Sequence, residues 1–356
     1  MNRENNFGII RIIAAWFVFA GHLGLILGGT APRFGGFSLH ELGVFTLFLI
    51  SGYLITMSWL SDPHPLRFAI RRFFRLWPPL AVMVLLVVFV AGPLLSDLGV
   101  KGYFESWYTV YLRNLRFFPV FALPGVFTDV PIPNTVNGSL WTMPVEAALY
   151  VITPILLTIL RVKHGSKISF RIMAVFTILV CGINVVFMTV GVQNQVVVYG
   201  VNLFQAYQVT VCYVIGILFT YEEVRKYLNI QLACVAMCVL LAFQSASGTL
   251  QYILLYLIFP YFIFSFVFAP KPVFKNVGKK VEPSYGIYLY GFFFQQLVVS
   301  LQLRHGISLG YTKTFLLSAL FTLAAAVVSC YLVEKPMQRV SHFLIKKVKR
   351  ENTEPK

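Results

Sequence analysis

Long apolar segments recur along almost the whole chain, and no other feature limits its possible folds as strongly. A helix needs about 20 apolar residues to cross the roughly 30 Å hydrocarbon core of a bilayer. The chain is 58% hydrophobic and 12% charged, with a mean hydropathy of +0.76, which excludes an ordinary soluble domain. We therefore predict an all-α, polytopic integral membrane protein with about ten transmembrane helices. The predicted segments are residues 8–28, 38–60, 76–95, 143–160, 171–190, 196–219, 230–244, 250–269, 284–302 and 313–333.

The distribution of lysine and arginine predicts the orientation of these helices. An even number of crossings places both termini on one side of the membrane, and basic residues favour the cytoplasmic loops. We predict that both termini are cytoplasmic, with a membrane-embedded domain over residues 1–340 and a basic cytoplasmic tail over 341–356. The first apolar segment is expected to be retained, because Arg11 interrupts it and no small-residue cleavage site precedes Pro32. The opposite side holds only Arg33, Lys101, Arg113, Arg116, Arg304 and Lys313.

The distribution of charge and of cysteine argues against two classes of site. The basic residues behind the net charge of +16 are spread among hydrophobic segments, so membrane topology explains them and nucleic acid is not an expected partner. All five cysteines fall in apolar runs without metal-ligand spacing, and we interpret them as small apolar packing residues. No metal is expected.

Two ionisable residues, Arg11 and His22, bracket ten uncharged residues in the first apolar segment. Eleven helical steps of about 100° complete three turns plus about 20°, so the two side chains share one helix face, about 16 Å apart along the axis. Arg11 is then near one membrane surface and His22 well inside, where a charge is costly and usually functional. We predict that Arg11 holds a charged ligand and that His22, with an unperturbed pKa of about 6.5, accepts a proton.

A second intramembrane ionisable residue, Glu146, lies a few residues inside the fourth segment. Such a carboxylate seldom serves packing alone, so we predict that it lines a cavity and either orients a histidine or accepts hydrogen bonds from a sugar. The second segment instead presents the small residues Gly43, Ser51 and Gly52 on an otherwise bulky helix. Small positions admit a neighbouring helix or a ligand, and helix packing is the interpretation we favour.

Arginines cluster in the loop before the third segment. If this loop is helical, Arg71 and Arg75, or Arg72 and Arg75, project from one face at a spacing of four or three residues. Guanidinium groups bind phosphates in a bidentate manner, so the cluster suits a cytosolic ligand with several phosphates; an anchor that follows the positive-inside rule is the alternative. Pro78 and Pro79 are expected in the first turn of the following helix. Glu334, at the cytoplasmic end of the last segment, is a candidate partner for the arginines.

Residues 96–142 form the longest stretch between apolar segments and are rich in aromatic residues and prolines. We predict that this stretch lies on the outer face, either as an interfacial anchor or as a lid over a cavity. Polar residues scattered through the later segments are interpreted as groups that hydrogen-bond between helices rather than as ligand contacts. These residues are Asn184, Asn202, Gln205, Gln208, Gln295 and Gln296.

Taken in order, these motifs resemble those of the acyltransferase-3 family of integral membrane acyltransferases over essentially the whole chain. Each motif alone is weak evidence, whereas their shared order and membrane depth are specific. Gly291 stands where family members often carry a histidine at the end of a Tyr-Leu-x-His motif. The residues that carry the resemblance are Arg11 and His22, then Gly43, Val44, Phe48 and 51–54, then Arg72 and Arg75 before Trp77, Pro78 and Pro79, then 139–141 with Glu146, then Ser284, Tyr285, Tyr288 and Leu289, and finally 333–336.

The resemblance implies an O-acetyltransferase of a bacterial cytoplasmic (inner) membrane that uses acetyl-CoA as its acyl donor and co-substrate. It implies transfer of an acetyl or other acyl group to a hydroxyl of a cell-envelope polysaccharide or lipid-linked sugar. No hydrolase-like domain is expected after the last segment, so the protein would act alone or with a separate partner. On this basis the catalytic residues are His22 and Glu146, the donor is bound by Arg11, Arg72, Arg75 and Ser51, and the acceptor is bound by Trp141, Ser139 and Tyr285.

Other functions and routes stay open at this stage. A carrier or flippase for a lipid-linked sugar or acyl donor would also place polar residues inside the membrane, although no inverted repeat is evident. A passive scaffold leaves the positions of His22 and Glu146 unexplained. Consumption of acetyl-CoA with release of free thiol distinguishes the enzyme from the carrier. Direct attack by the acceptor hydroxyl and transfer through an acyl-histidine are equally compatible with the sequence.

Overall fold

The computed structural model describes residues 5–163, 165–191, 196–246 and 248–351, and most of them are helical. The α-helices are α1 (Phe7–Ile26), α2 (Leu39–Ser61), α3 (Pro65–Leu86), α4 (Gly92–Leu95), α5 (Gly99–Phe104), α6 (Thr142–Ile159), α7 (Lys167–Val190), α8 (Leu203–Leu218), α9 (Glu222–Arg225), α10 (Ile230–Ala242), α11 (Gly248–Val267), α12 (Ser284–Arg304), α13 (Gly310–Ser329) and α14 (Lys335–Glu351). The π-helical turns are Val87–Ala91 and Cys330–Glu334, and the 3₁₀ helices are Tyr108–Arg116 and Gly138–Trp141. Two antiparallel pairs of two-residue strands are β1 (Arg33–Phe34) with β2 (Phe37–Ser38), and β3 (Val197–Val198) with β4 (Val201–Asn202).

Each of the ten predicted apolar segments contains a helix, although the sixth, 196–219, begins with the strand pair β3–β4 and its helix α8 starts only at Leu203. The apolar helices α8 and α10 are the shorter ones, with 16 and 13 residues. The chain is therefore a multi-pass, all-α membrane protein, while ten crossings and cytoplasmic termini stay predictions. Within the described ranges, eight helical stretches are long and apolar enough to cross a membrane: Phe7–Ile26, Leu39–Ser61, Pro65–Leu95, Gly138–Ile159, Lys167–Val190, Gly248–Val267, Ser284–Arg304 and Gly310–Arg350.

The helical stretch Pro65–Leu95 begins earlier than the predicted segment 76–95. The prediction that Pro78 and Pro79 lie in a first helical turn is therefore wrong. Helix α3 starts at Pro65, where a missing backbone N–H is harmless. The His64 side chain caps this end by accepting a hydrogen bond from the Arg67 backbone N–H at 3.4 Å. Because the helix already has this start, Pro78 and Pro79 lie in its interior rather than in a first turn. The preceding arginines are thus on the same helix that enters the apolar region.

The chain divides into two compact units, each assembled from separate parts of the sequence. Helices α1 and α6 each contribute residues to both units. The predicted division at residue 340 coincides with no structural break, because α14 runs from Lys335 to Glu351; the assignment of a separate tail stays a prediction, and residues 352–356 lie outside the described residues. Unit 1 comprises Met1–Val18, Pro32–Pro63 and Ala148–Glu282, and unit 2 comprises Phe19–Ala31, His64–Ala147 and Pro283–Lys356.

In unit 1, glycines let helices approach one another at backbone distance. A Cβ added to Gly52 of α2 would lie 1.9 Å from the Tyr213 carbonyl oxygen of α8. Reciprocally, a Cβ on Gly216 of α8 would lie 2.1 Å from the Leu49 carbonyl oxygen of α2. Gly43 makes a similar approach to α1. These contacts are typical of helices packed in membranes, and they confirm the packing interpretation of Gly43 and Gly52.

In unit 2, the long stretch predicted on the outer face is folded. Tyr103 and Tyr111 from this stretch are fully buried. Arg304, at the end of α12, holds the stretch through two carboxylates: Nη2 lies 2.7 Å from Asp97 Oδ1, and Nε lies 3.2 Å from Asp129 Oδ2. The stretch is therefore a fixed part of unit 2 that is linked to the C-terminal end of α12.

Candidate functional site

One face of α12 carries polar and aromatic side chains at the spacing of three to four residues that brings helical residues into line. Each of these side chains contacts a different part of unit 2. Because α12 is buried along most of its length, it fixes these parts relative to one another. The residues of this α12 face are Tyr285, Tyr288, Phe292, Gln295 and Gln296.

At the N-terminal end of the α12 face, Arg75 of α3 forms an ion pair with Glu334. Arg75 Nη1 lies 3.2 Å from Glu334 Oε2, and the glutamate side chain is only 3% exposed. The Arg75 guanidinium carbon is also 5.8 Å from the centroid of the Tyr285 ring. Tyr285 Oη donates a hydrogen bond to the Leu76 carbonyl oxygen at 2.8 Å. The expected pairing of Glu334 with the arginine cluster is thus present, and Tyr285 ties α3 to α12.

Arg72 lies three residues before Arg75 on α3 and is half-buried. Its guanidinium carbon is 5.4 Å from the centroid of the Phe68 ring, within the range of a cation–π interaction. Helix α3 carries four arginines and no acidic residue. The net charge of α3 therefore stays positive after Arg75 pairs with Glu334, and a positive charge favours binding of a phosphate group.

In the middle of the α12 face, hydrogen bonds hold the second 3₁₀ helix and the start of α6. Tyr288 Oη lies 2.6 Å from Thr142 Oγ1 and donates to the Ser139 carbonyl oxygen at 3.1 Å. Asn137 Nδ2 donates to the Leu289 carbonyl oxygen at 2.7 Å, while Asn137 Oδ1 accepts from the Ser139 backbone N–H at 3.0 Å. The turn that leads into α6 is therefore attached to α12 on both of its sides.

Phe292 lies between His22 and this turn and contacts both. The half-buried imidazole meets the Phe292 ring edge to face, with 5.2 Å between the ring centroids. Phe292 packs against Gly138, where an added Cβ would lie 2.8 Å from the phenyl ring. His22 is four residues from the end of α1 at Ile26. The predicted base is thus held next to the residues that precede α6.

Glu146 is half-buried on α6, one helical turn beyond Thr142. Its carboxylate is close enough to Tyr288 to interact with it electrostatically. Both intramembrane ionisable residues predicted to be catalytic therefore border the α12 face, Glu146 beside Tyr288 and His22 beside Phe292.

Two predicted site residues, Arg11 and Ser51, belong to unit 1. Arg11 Nη1 forms an ion pair with Glu282 Oε2 at 3.0 Å, a partner that sequence reasoning missed. Ser51 is half-buried beside the packing position Gly52. The other seven predicted residues belong to unit 2: His22, Arg72, Arg75, Ser139, Trp141, Glu146 and Tyr285.

Sequence reasoning also missed Asn137 and Phe292, which position the turn before α6 and the His22 ring. The regular spacing of polar and aromatic residues along the ninth apolar segment is the signal that would have found Phe292. A Cβ on Gly291 would lie 2.9 Å from the Phe19 ring, so a histidine at this position would require Phe19 to move. Among the described residues there is no group of three or more histidine, cysteine, aspartate or glutamate side chains that would hold a metal ion.

Comparisons with known proteins give a consistent result. A family model described as an acyltransferase domain matches residues 4–335. The chain is 26% identical over 342 residues to the O-acetyl transferase of Shigella phage Sf6, a match that covers 94% of this chain and 96% of the relative. It is 33% identical over 171 residues to nodulation protein 10 of Rhizobium leguminosarum bv. viciae, covering 44% of this chain and 45% of that protein. It is 31% identical over 154 residues to the peptidoglycan O-acetyltransferase OatA of Listeria monocytogenes, covering 39% of this chain and 22% of that protein. No solved structure gives a significant match.

Proposed function

This chain belongs to the acyltransferase-3 family, as its motifs predicted, and from that premise we propose that it transfers an acetyl group from cytosolic acetyl-CoA to a hydroxyl of a cell-envelope polysaccharide or lipid-linked sugar. Relatives named O-acetyl transferase and peptidoglycan O-acetyltransferase support an oxygen nucleophile. The cytoplasmic membrane of a bacterium, with both termini inside, is the proposed location. The observation that carries the proposal is that His22 and Glu146 border the same face of α12 that contacts the arginine-bearing helix α3.

We place the phosphates of the donor at Arg72 and Arg75. A guanidinium has five N–H donors, so Arg75 retains donors for a phosphate while its ion pair with Glu334 fixes its orientation. Arg11 and Ser51 stay proposed donor-binding residues. A phosphate at Arg11 would compete with the Glu282 carboxylate for the same guanidinium, which predicts a smaller contribution from Arg11.

His22 is proposed as the general base. The neutral imidazole removes the proton of the acceptor hydroxyl, whose oxygen bonds to the thioester carbonyl carbon. The carbon–sulfur bond then breaks, and the departing thiolate takes the proton from the imidazolium, so the products are an acetyl ester and free CoA. Edge-to-face contact with Phe292 restricts the orientation of the ring during these transfers. In the alternative route, the neutral His22 imidazole bonds to the thioester carbonyl carbon as the carbon–sulfur bond breaks and CoA leaves as a thiolate. The acceptor hydroxyl then attacks the acyl-histidine, which releases the imidazole, and the hydroxyl proton passes to the thiolate.

Glu146 and the residues proposed for the acceptor surround this step. A carboxylate at Glu146 stabilises the transient imidazolium charge or accepts a hydrogen bond from the sugar. The half-buried indole of Trp141 offers an apolar face for a sugar ring. Ser139 makes hydrogen bonds within unit 2 through backbone atoms, and it stays a proposed acceptor-binding residue. The Tyr285 hydroxyl already donates to the Leu76 carbonyl oxygen, so the proposed contribution of Tyr285 is to shape the site.

The test uses purified full-length protein in lipid nanodiscs, supplied with acetyl-CoA and candidate glycans. We expect thiol release that depends on the glycan, and an added acetyl mass on the glycan. Cells that lack the gene should lose an acetyl unit from an envelope glycan by mass spectrometry. Protein that binds both compounds and releases no thiol would instead indicate a carrier.

The donor site has its own test. Arg72→Ala and Arg75→Ala should each raise the KM for acetyl-CoA by about tenfold or more, because each removes a charge-assisted contact to phosphate. Arg171→Ala, an exposed arginine on α7, is the matched control and should leave this KM unchanged. Equal effects of all three substitutions would remove the arginine cluster from the donor site.

A further inference from the structure

A cavity of about 470 Å³ lies in unit 1, within residues 268–282, the lysine segment that follows α11. Among the described residues that line this cavity, two side chains carry a positive charge and none is a carboxylate. A concave site of this size and charge suits an anionic group. None of the residues proposed for acetyl transfer lines it. The lining residues are Asn276, Gly278, Lys279, Lys280 and Val281.

The lysine segment is fastened to the start of α1. The buried Asn6 side chain donates to the Phe266 carbonyl oxygen at 3.0 Å and accepts from the Phe274 backbone N–H at 3.1 Å. Close packing adds to these bonds, since a Cβ on Gly8 of α1 would overlap the Val277 carbonyl oxygen. The backbone around the cavity is therefore held in place by unit 1 itself.

The charges around the cavity are also arranged by local contacts. Glu282 forms an ion pair with Arg11 at 3.0 Å, so the carboxylate that follows the cavity residues has a cationic partner on α1. Lys279 Nζ donates to Asn276 Oδ1 at 3.2 Å, which orients one of the two cavity lysines. Gly278 has a φ of +82°, a left-handed conformation that favours glycine. The backbone thus turns sharply just before the two lysines.

The lysine segment is expected at a membrane surface. It connects α11 to α12, which are both long and apolar enough to cross a membrane. It carries Lys271 and Lys275 in addition to the two lysines of the cavity. Between them, Val273 is 81% exposed and Phe274 is 42% exposed. Exposed apolar residues flanked by lysines are typical of a segment that contacts the boundary between lipid headgroups and acyl chains.

We propose that the cavity binds the phosphodiester headgroup of an anionic phospholipid through Lys279 and Lys280. Basic pockets beside transmembrane helices recognise such headgroups. Each lysine ammonium offers three N–H donors and a full charge to the phosphate oxygens. The exposed Val273 and Phe274 favour a lipid over a soluble phosphate compound, because lipid covers apolar side chains that a soluble ligand would leave in water. The site does not depend on the acetyl transfer proposed above.

Native mass spectrometry of the full-length protein in a neutral detergent measures the binding. The probes are cardiolipin and phosphatidylglycerol, with zwitterionic phosphatidylcholine as the reference lipid. Acetyl-CoA and inorganic phosphate, each in excess over the lipid, are the soluble competitors. We expect the wild-type protein to bind cardiolipin roughly tenfold more tightly than phosphatidylcholine, and neither soluble compound should displace the cardiolipin.

Lysine variants test the cavity directly. Lys279→Gln and Lys280→Gln should each weaken cardiolipin binding about fivefold, and the double variant about twentyfold, because each substitution removes one charge beside the phosphate. Val273→Ser should weaken binding about threefold without a change in charge. The matched control, Lys163→Gln/Lys167→Gln, removes two exposed lysines of unit 1 and should keep the wild-type affinity. Thermal melting without added lipid checks that each variant folds.

The outcomes separate this inference from its alternatives. Wild-type cardiolipin affinity in the double variant of the cavity overturns it, because the lysines then do not hold the headgroup. Equal weakening in the control variant also overturns it, because the total charge of the protein then explains the binding. Displacement of cardiolipin by acetyl-CoA or phosphate would assign the cavity to a soluble compound instead. Protein that binds cardiolipin through these lysines and transfers no acetyl group would refute the proposed function alone.

Discussion

The contact between α2 and α8 in unit 1 and the polar face of α12 in unit 2 are held by different chemistry. In unit 1, α2 and α8 meet where Gly52 and Gly216 let their backbones touch. In unit 2, α12 is held by side chains that hydrogen-bond across to backbone carbonyls, as Tyr285 and Gln295 do. Contact between backbones depends on shape alone, whereas buried polar side chains are costly unless they are satisfied. We propose from this contrast, together with the proposed roles of His22 and Glu146, that unit 1 is chiefly a scaffold and that unit 2 contains the reactive groups.

An arginine–glutamate ion pair is present in each unit, Arg11 with Glu282 in unit 1 and Arg75 with Glu334 in unit 2, and these two pairs differ in burial. Arg11 and Glu282 in unit 1 are 26% and 17% exposed. Arg75 and Glu334 in unit 2 are 24% and 3% exposed. A more deeply buried carboxylate depends more on its cationic partner, because water cannot replace that partner. The same pair of residue types should therefore matter more in unit 2.

The largest expected effect tests whether unit 2 contains the chemistry. His22→Ala should lower acetyl transfer by a factor of about 10² to 10⁴, the usual contribution of a general base, while the protein still folds and inserts. His305→Ala, an exposed histidine just after α12, is the control and should keep full activity. The measurement is glycan-dependent thiol release in nanodiscs. Full transfer by His22→Ala would remove His22 from the mechanism and end the functional contrast between the units.

The next effect tests whether unit 1 depends on shape. Gly52→Ala should lower the free energy of unfolding by about 2–3 kcal/mol, because its Cβ would overlap the Tyr213 carbonyl oxygen. Gly182→Ala on α7, where nothing lies within 4 Å of an added Cβ, should be neutral or slightly stabilising. Thermal melting of both variants in one detergent compares them. A Gly52→Ala protein that melts like wild type would contradict close backbone packing in unit 1.

The two ion pairs give a third comparison. Arg75→Met should destabilise the protein by about 3 kcal/mol, because it removes the cation that compensates the buried Glu334. Arg11→Met should cost about 1 kcal/mol, since Glu282 is better hydrated. The double variant Arg75→Met/Glu334→Met should recover part of the loss in thermal melting. Similar melting temperatures for the two single variants would show that the burial difference has no energetic consequence.

The smallest effect concerns the folded outer stretch of unit 2. Burial, together with the neighbouring Tyr108, raises the pKa of Tyr103 to about 12, while the unfolded chain ionises near 10. The contribution of Tyr103 to stability is therefore complete below about pH 10 and is lost as the pH rises towards 12.

Tyr103→Phe is the matching substitution. It should cost about 1 kcal/mol at pH 8, because Tyr103 Oη donates a hydrogen bond to the Val88 carbonyl oxygen at 2.8 Å. The difference in unfolding free energy between wild type and variant should shrink from about pH 10 to pH 12. A difference that is constant over this range would show that Tyr103 ionises equally in both states.

Much of the fold could be predicted from the sequence, because helix formation in a membrane depends on the residues within one segment. A backbone in lipid must satisfy its own hydrogen bonds, and each predicted apolar segment contains a helix. The start of α3 was less predictable. Pro78 and Pro79 are typical of a first turn, but the cap at His64 lies farther upstream.

The candidate site was only partly accessible from sequence. Arg75 and Glu334 were expected to pair because opposite charges at one membrane boundary attract, and they do pair. Arg11 was assigned to a ligand, but its contact with Glu282 depends on how the chain folds back over more than 270 residues. Glutamines were expected to connect helices, and Gln295 does so through its nitrogen, whereas the nitrogen of Gln296 bonds to the non-helical segment at Ile132. The sequence could not show that the side-chain oxygens of both lack a donor among the described residues.

The sequence by itself determined the helical membrane character, the family, and the ionisable residues available for chemistry. These properties follow from composition, spacing and the cost of exposing polar groups to lipid, all of which act within one segment. Only the tertiary structure decided which residues share unit 2 and which carboxylate each arginine contacts. It also decided which buried oxygens of α12 have donors, because hydrogen bonds between distant segments depend on packing that no local pattern specifies.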